Sequence, residues 1–438
     1  MTATISTGTA GTATITRVQP YSRRISLTER SYLMAHLMAP PMAIQVFVEG
    51  RGALDPEQLA QAVAAASEAC PGARVVRRGP NWVDGGKNPP VRVADGAGLD
   101  RTGYDSALFR TPFDPAAGPN CEVLLITGTP ATLVFRAFHA VMDGKGMMTW
   151  ITEVFRALRG QESVRATDTA TEEDLVARFA KPDRVSEPID TEARFTSPFE
   201  FFDIPDAGTA SVDAGDDEAP GWIWRRRTIP GVHPALIART AVAITRTTGA
   251  PGRFIVPVNL RRHDPALRST ANLTLPITVD VAPGTTWRAV QGRLVGAMME
   301  GRELSADGPR EGNVRLSSFA GLAPRLAAAR AAGERRATYQ ATAILSELGR
   351  VDPAALSGGG FTAATVYSLP MYVPYAPAFF TVYQLPEHVE LALSARRGPG
   401  AGARADALLD AIEAEFTDLA PTPSPATPPA PAPVRSRS

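Results

Sequence analysis

The sequence predicts an α/β fold of the α+β two-layer type, built as two domains. At 438 residues the chain is longer than one hydrophobic core usually serves. A strand followed by a helix occurs early, in MAIQVFVEG and LDPEQLAQAVAAASEAC, and similar strand and helix patterns return in the second half. The absence of a short-period repeat excludes solenoids and propellers.

The first half begins with a helix and then alternates strands with helices. The SLTE run at 26–29 is a capping box, and the Asp-Pro pair at 55–56 supplies an N-cap and a first-turn proline. Strands are expected at MAIQVFVEG, ARVVRRG and PVRVAD, and CEVLLITG and ATLVFRAFHA should form a buried hairpin around 129–130. Helical spacing follows in GKGMMTWITEVFRALRG, so His139 is predicted to lie where a strand ends and a helix begins.

The second half has a similar pattern. A strand at WIWRRRTI precedes a helix at 233–247, and strands at RFIVPVNL and LTLPITVDV precede a helix near 286–303. Helices are expected near 315–348. Strands at TAATVYSL, FFTVYQL and HVELALSA follow, and the helix ADALLDAIEAEF closes the folded part.

Composition changes along the chain predict the domain limits. Residues 1–20 are rich in Thr, Ala, Gly and Ser, and residues 419–438 are rich in Pro, so both ends are expected to be disordered. The stretch 201–221 is acidic and weakly periodic. It is therefore the predicted connection between an N-terminal domain at 21–200 and a C-terminal domain at 222–418.

Composition also excludes several classes of function. Acidic and basic residues number 45 each and form no basic stripe, which argues against a nucleic-acid partner. No apolar run reaches the roughly 20 residues of a membrane helix, and the N-terminus lacks the features of a signal peptide. We therefore expect no membrane partner and a cytoplasmic monomer. Cys70 and Cys121 lie in apolar segments as small buried hydrophobes, and the five histidines lack zinc-site spacing, so no metal is expected.

The run His139-Ala-Val-Met-Asp143-Gly144 is the strongest candidate for catalytic chemistry. A general base needs a pKa near the working pH, which histidine has, and a strand-to-helix junction favours a position in a cleft. Asp143 could fix the geometry, and Gly144 could let the backbone turn close to the imidazole. The alternatives are a structural histidine satisfied in the core, and Asp143 as an N-cap of the following helix.

This motif and its context resemble the condensation-domain and chloramphenicol-acetyltransferase-like superfamily. The SLTE helix, the strand ending at Gly50, the LDPEQLAQAV helix, HxxxDG and the later PVNLRR occur in order over roughly residues 22–417. The superfamily includes peptide-synthetase condensation domains, polyketide-associated acyltransferases and plant BAHD acyltransferases. The resemblance implies two chloramphenicol-acetyltransferase-like lobes forming a V around a central tunnel, with a crossover strand near 362–372.

The resemblance also implies roles for individual residues. His139 matches the general base of HxxxDG. Asp143 matches a structural aspartate that pairs with an arginine of the second lobe, for which Arg261 in PVNLRR is the candidate, although Arg261 could instead belong to a solvated basic pair. Gly144 could offer a backbone N–H near the oxyanion. Further candidates for lining the tunnel are Phe138, Asn272, Tyr367 and Ser368, whereas Met147, Met148 and Trp150 are expected to pack in the core.

Two features differ from branches of the superfamily. Phe138 stands where peptide-synthetase domains have the first histidine of HHxxxDG, although BAHD-type enzymes also keep only the second histidine. No DFGWG run occurs near the C-terminus, which argues against the plant branch. No carrier or adenylation domain flanks the chain, so we expect a free-standing bacterial member.

The expected function is therefore that of an acyltransferase that makes an ester or amide. We expect it to have no bound cofactor. The donor would be acyl-CoA or a phosphopantetheine thioester on an acyl or peptidyl carrier protein, and the acceptor a small-molecule hydroxyl or amine, in secondary metabolism. One alternative is a non-catalytic condensation-like module that docks a carrier protein or a tailoring enzyme. Another is a non-acyl reaction, such as cyclisation or epimerisation, in the same fold.

Overall fold

The structure is a computed structural model that describes residues 20–38, 40–180, 194–202, 221–305, 331, 335, 338–373 and 376–417. The predicted disordered ends, apart from residue 20, and most of the predicted acidic connection lie outside these ranges. Within the described ranges the strands are β1 (Ser22–Arg24), β2 (Ala43–Arg51), β3 (Val75–Arg78), β4 (Asn81–Asp84), β5 (Val91–Asp95), β6 (Cys121–Thr127), β7 (Ala131–Phe138), β8 (Phe195–Thr196), β9 (Trp222–Pro230), β10 (Gly252–Asn259), β11 (Thr274–Val281), β12 (Thr338–Tyr339), β13 (Ala343–Arg350), β14 (Thr362–Leu369), β15 (Ala378–Gln384) and β16 (His388–Arg396).

Helices alternate with these strands. In the described part they are α1 (Leu27–Met38), α2 (Pro56–Ala69), α3 (Ala107–Arg110), α4 (Gly144–Leu158), α5 (Glu172–Phe179), α6 (Leu236–Thr248), α7 (Trp287–Glu300) and α8 (Ala401–Thr417). A single 3₁₀ turn, Leu260–His263, follows β10. The α/β class predicted from the sequence is confirmed.

The first large sheet has the strand order β14-β2-β7-β6-β5. Its centre is antiparallel, and β6 and β7 form the hairpin expected from the sequence, while β5 joins β6 in parallel. β14 comes from the second half of the chain, yet it pairs with β2 from Thr362 opposite Arg51 to Leu369 opposite Gln45. The first lobe thus contains a strand contributed by the second half of the sequence.

The second large sheet has the order β11-β10-β13-β15-β16-β9. β10, β13 and β15 are mutually parallel, and the remaining pairs are antiparallel. The helix expected near 315–348 is wrong for Ala343–Arg350, which form the central strand β13, whereas 306–330 lie outside the described residues. Ala343, Ile344 and Leu345 are all buried in this strand. A short apolar run suits a buried parallel strand as well as a helix, so periodicity did not separate the two.

The side chains of the first sheet alternate between two layers. In β2, Val46 and Val48 pack in the core with α2 and α4, whereas Phe47 packs on the opposite face. That opposite layer is an aromatic cluster that also contains Trp222 and Trp224 of β9, so it joins the first sheet to the second.

Helix α4 has one apolar face. Asp143 is its N-cap, and its buried apolar side chains recur at helical spacing: Met147, Trp150, Ile151, Val154, Phe155 and Leu158. Met147 and Trp150 thus lie in the core as expected, and Met148 is half-buried against it. Packing of this face against the first sheet fixes where the helix begins, and therefore where the HxxxDG run lies.

The described residues contain no helix both long enough and apolar enough to span a membrane. In the same part of the chain no three His, Cys, Asp or Glu side chains cluster in a way that could hold a metal ion. Cys70 and Cys121 are buried free thiols.

Candidate functional site

His139 lies immediately after β7, and segments from both halves of the chain hold its backbone. Its N–H donates to the carbonyl of Met42 at 2.8 Å. Its carbonyl accepts a hydrogen bond from the side-chain amide of Asn272, also at 2.8 Å. Because Met42 precedes β2 and Asn272 precedes β11, the position of His139 depends on how the two sheets meet.

The imidazole of His139 is buried beneath an aromatic ring. The side chain of Tyr32, on α1, stacks on it with ring centroids 3.9 Å apart and planes 20° from parallel. Only 8 % of His139 is exposed, and its Nδ1 is buried without a hydrogen-bond partner among the described residues. Loss of hydration lowers the pKa of His139 to about 4, and the nearby Asp143 carboxylate opposes this only partly. The imidazole is therefore neutral at physiological pH.

Asp143 is both an N-cap and a partner in an ion pair. Its Oδ1 accepts from the backbone N–H of Gly146 at 2.7 Å, and its Oδ2 lies 2.9 Å from Nη1 of Arg261. Oδ2 also accepts from the N–H of Leu273 and the hydroxyl of Thr274. Burial by itself would raise the pKa of Asp143, but the Arg261 charge and these hydrogen bonds hold it below its ordinary value.

Arg261 lies in the 3₁₀ turn after β10 and uses its whole guanidinium group to tie that turn together. Besides Asp143, it donates to the side-chain oxygen of Asn259 and to the carbonyls of Ser269 and Ala271, at distances between 2.7 and 3.1 Å. The pair between Asp143 and Arg261 thus joins the start of α4 in the first lobe to the segment between β10 and β11 in the second lobe.

Two glycines at the start of α4 allow this close approach. A Cβ at Gly144 would lie 2.5 Å from a methyl carbon of Leu348, and a Cβ at Gly146 would lie 2.1 Å from the carbonyl oxygen of Thr270. The second contact is with backbone, which cannot rotate away. Sequence reasoning identified Gly144 but missed Gly146, although the GKG spacing was visible.

A buried polar network beneath the site was also missed. The Glu29 carboxylate, fully buried, accepts from Arg23 at 2.7 Å, from the indole N–H of Trp82 at 3.1 Å and from the amide of Asn272 at 3.3 Å. Arg23 in turn donates to the carbonyl of Val141, inside the HxxxDG run. Glu29 was recognised as part of a capping box, which the structure contains, but that local pattern gave no signal for Arg23 or Trp82.

Phe138, Tyr367 and Ser368, named from the sequence as candidates for lining a tunnel, have their own sets of contacts. Phe138 is fully buried in the core of the first lobe and meets the rings of His36 and Trp82 edge to face. The hydroxyl of Tyr367 donates to the carboxylate of Glu49 at 2.8 Å, and the guanidinium of Arg226 lies over the Tyr367 ring. The hydroxyl groups of Ser368 and Tyr383 are 2.5 Å apart. The structure therefore groups His139, Asp143, Gly144, Arg261 and Asn272 and leaves Phe138, Tyr367 and Ser368 outside that group.

Comparison with known proteins identifies the fold. No protein-family profile and no curated protein matches the chain. Solved structures do match it: the condensation domain of the Monacolin K polyketide synthase MokA has a TM-score of 0.57 and 13% identity, over 90% of this chain and 96% of that one. A mutant starter condensation domain of the rhizomide synthetase RzmA, in complex with C8-CoA, gives 0.56 and 14%, over 91% and 95%. Polyketide synthase associated protein 5 from Mycobacterium tuberculosis gives 0.54 and 12%, over 92% and 99%.

At these identities the likeness is one of fold. The chain has the two-lobe fold of condensation domains, which confirms the fold predicted from the HxxxDG motif and its context.

Proposed function

We propose that the chain is an acyltransferase that moves an acyl group from a CoA or carrier-protein thioester to a hydroxyl or amine, with His139 as the general base. The observation that carries the proposal is a neutral, buried imidazole whose backbone is held by segments from both lobes. The fold supports it, since condensation domains share the architecture and one of them binds C8-CoA.

In the proposed reaction the acceptor attacks the carbonyl carbon of the thioester. His139 takes the proton of the attacking O–H or N–H as the new C–O or C–N bond forms. The tetrahedral intermediate then collapses, the C–S bond breaks, and the imidazolium returns the proton to the leaving thiolate. Because Nδ1 is buried, Nε2 is the ring nitrogen assigned to this transfer. General-base catalysis of this kind contributes about 10²- to 10⁴-fold.

The neighbouring residues have supporting roles in this proposal. Asp143 is a positioning residue, because both of its oxygens are already engaged by Arg261 and by backbone N–H groups. Asn272 orients the peptide of His139 through its carbonyl. Gly144, at the first position of α4, lies where a helix N-terminus could stabilise the oxyanion.

One observation favours a second candidate, a non-catalytic module that docks a carrier protein or a tailoring enzyme. A pKa of about 4 makes His139 a weak base at neutral pH, since general-base efficiency is best when the pKa lies near the working pH. Tyr32 also covers one face of the imidazole. Turnover separates the two candidates, because only the acyltransferase releases a thiol.

The test is release of free thiol from a panel of acyl-CoA and acyl-pantetheine donors, with metabolite extract as acceptor. We expect release by the wild-type protein and a loss of at least about 100-fold in His139→Ala. The matched control is His233→Ala, because His233 lies in the second lobe and contacts only Pro230 and Gln384 through hydrogen bonds in the described part. Equal release by wild type and His139→Ala refutes the assignment of the base, and no release with any donor, including carrier-bound ones, favours the docking module.

A further inference from the structure

The turn at 139–141, directly after β7, is held by hydrogen bonds to two of its carbonyl groups. The carbonyl of His139 accepts from the side-chain amide of Asn272 at 2.8 Å. The carbonyl of Val141 accepts from Nη2 of Arg23, also at 2.8 Å. Asn272 belongs to the second lobe and Arg23 to β1 of the first. The direction in which the chain leaves β7 at His139 therefore depends on both side chains.

These two donors meet on one carboxylate, that of Glu29. Its Oε2 accepts from Nη1 of Arg23 at 2.7 Å. Its Oε1 accepts from the side-chain amide of Asn272 at 3.3 Å and from the backbone N–H of the same residue at 3.4 Å. Because Glu29 binds both donors, a change in its position or charge should displace both carbonyl contacts of the turn.

The surroundings of Glu29 suit a carboxylate and no other group of its size. Every described hydrogen bond to its oxygens comes from a donor. Besides Arg23 and Asn272, the donors are the backbone N–H of Ser26 at 3.0 Å and the indole N–H of Trp82 at 3.1 Å. A glutamine has the same size, but its NH₂ group would face a donor whichever way the amide turned.

Stability is a poor explanation for this arrangement. The side chains of Arg23 and Glu29 are completely buried, and their attraction does not always repay the cost of removing two charges from water. Apolar side chains of similar volume often stabilise a core as well as such a pair does. What the pair supplies is direction, because two nitrogens of one rigid guanidinium bind the carboxylate and the Val141 carbonyl.

We propose that Arg23 and Glu29 are positioning residues for His139, acting through the carbonyls of Val141 and His139. The proposal rests on the acyltransferase function proposed above. A general base must lie within hydrogen-bond reach of the proton that it removes, and a displacement of about 1 Å can cost about 10²-fold in rate. The pair sets the direction of the imidazole without touching the substrate.

The experiment replaces each member of the pair by a close relative. Arg23→Lys retains the charge beside Glu29, but one ammonium group replaces the fork and cannot bind both the carboxylate and the Val141 carbonyl from one position. Glu29→Gln removes the charge and places an NH₂ group against a donor. Arg23→Lys is the milder change and keeps the test open if Glu29→Gln does not fold.

Arg136→Lys is the matched control. Arg136 is also a completely buried arginine of the first lobe, where it pairs with Glu122 and donates to the carbonyl of Thr111 at 2.7 Å. Its described hydrogen bonds resemble those of Arg23 in kind, but none of them goes to the HxxxDG run. The loss of folding stability should be similar in the two lysine variants, whereas an effect on the imidazole should occur in Arg23→Lys alone.

Two readouts separate positioning from turnover. NMR spectra of the five histidine rings, recorded with isotope-labelled histidine, report the surroundings of the imidazole without any substrate. The His139 signals should shift in Arg23→Lys and Glu29→Gln, and those of His233 and His388 in the second lobe should not. In the thiol-release assay kcat should fall about 10- to 100-fold, while the KM of the donor stays within about twofold of the wild-type value.

A double-variant cycle tests the route of the effect. Asn272→Ala removes the donor to the His139 carbonyl. If Glu29 acts through Asn272, adding Glu29→Gln to Asn272→Ala should lower kcat by clearly less than the product of the two single losses. Losses that multiply in full would overturn the role proposed for Glu29.

The two readouts distinguish failure of this proposal from failure of the proposed function. Unchanged His139 signals in folded Arg23→Lys and Glu29→Gln overturn the proposal, as does an equal shift in Arg136→Lys, and thiol release by the wild type then still supports the acyltransferase. A wild type that releases no thiol from any donor removes the acyltransferase. If the His139 signals still shift in Arg23→Lys and Glu29→Gln, the pair nonetheless positions the imidazole.

Discussion

The ring of Tyr32 lies face to face with the imidazole of His139, with centroids 3.9 Å apart. Removing the ring in Tyr32→Ala should admit water to the imidazole and raise the pKa of His139 from about 4 toward its ordinary value of 6.5, because desolvation is the main cause of the lowered value. Tyr32→Phe keeps the stacked ring and should keep the low pKa. NMR titration of the His139 ring protons measures both.

The same spectra contain an internal reference. The pKa of His36, which also lies on α1, is likewise lowered by burial, and its ring meets that of Phe138 edge to face. The pKa of His36 should be the same in both Tyr32 variants as in the wild type. A His139 pKa that stays near 4 in Tyr32→Ala would show that other groups keep water from the imidazole.

Substituting Asp143 separates its charge from its capping role. Asparagine can still cap α4, but it leaves Arg261 as a partly buried charge without its carboxylate partner, and breaking a buried pair typically costs about 3–5 kcal/mol. We expect Asp143→Asn to lose roughly that much free energy of unfolding in denaturant titration.

The control is Asp55→Asn, at the exposed N-cap of α2. Asp55 accepts from the N–H of Glu57 at 3.0 Å and has no cationic partner there, so asparagine should change stability by less than about 0.5 kcal/mol. If Asp143→Asn and Asp55→Asn lose equally little free energy of unfolding, Asp143 stabilises the fold only as a helix cap. The cap and the ion pair, which are alternatives from the sequence alone, are both present in the structure.

Local patterns predicted the parts of the site that lie close together in sequence. HxxxDG gave His139, Asp143 and Gly144, and the strand-to-helix switch gave their position at the start of α4. The contact of Arg261 with Asp143 spans 118 positions and came from the resemblance to a superfamily, because periodicity carries no information about partners so far apart.

Other parts of the site depend on packing that no local pattern encodes. The stacking of Tyr32 on His139 depends on how α1 packs beside the end of β7, which no pattern along α1 records. Arg23 lies in a three-residue strand with no distinctive motif, and only the fold brings it to Glu29. The strand β13 was assigned to a helix for the same reason. Its apolar run is compatible with either element, and pairing with its two parallel neighbours makes it a strand.

The buried carboxyl group of Glu172 should make the stability of the protein depend on pH. Burial, reinforced by the charge of Glu173, raises its pKa to about 7 from an ordinary 4.5, while its Oε1 accepts from the N–H of Thr28 at the start of α1. As pH rises from about 4.5, the unfolded chain loses this proton first, so this group lowers stability progressively up to about pH 7 and by a constant amount above it. The difference corresponds to about 3 kcal/mol.

Glu172→Gln removes this penalty and keeps an acceptor for Thr28. Its free energy of unfolding should exceed that of the wild type by up to about 3 kcal/mol at pH 8, and the gain should disappear at pH 4. Glu387→Gln, an exposed change in the turn before β16, should show no such trend. A Glu172→Gln protein whose stability relative to wild type is the same at both pH values would refute the buried-carboxyl explanation.

Gly146 should be intolerant of any side chain. A Cβ there would lie 2.1 Å from the carbonyl oxygen and 2.7 Å from the carbonyl carbon of Thr270, so the start of α4 must move from the segment before β11. We expect Gly146→Ala to lose at least about 1–3 kcal/mol, the usual cost of overpacking, although alanine is the better helix former.

Gly292→Ala provides the matched comparison, because Gly292 lies inside α7 and, apart from its chain neighbours and the backbone of its own helix, no described atom lies within 4 Å of an added Cβ. Relief of glycine's conformational entropy should stabilise that variant by roughly 0.5–1 kcal/mol. Opposite signs for the two glycines in thermal or denaturant unfolding would attribute the effect to the contact with Thr270. Since Thr270 lies between the Ser269 and Ala271 carbonyls that bind Arg261, Gly146→Ala should also reduce thiol release, whereas Gly292→Ala should not.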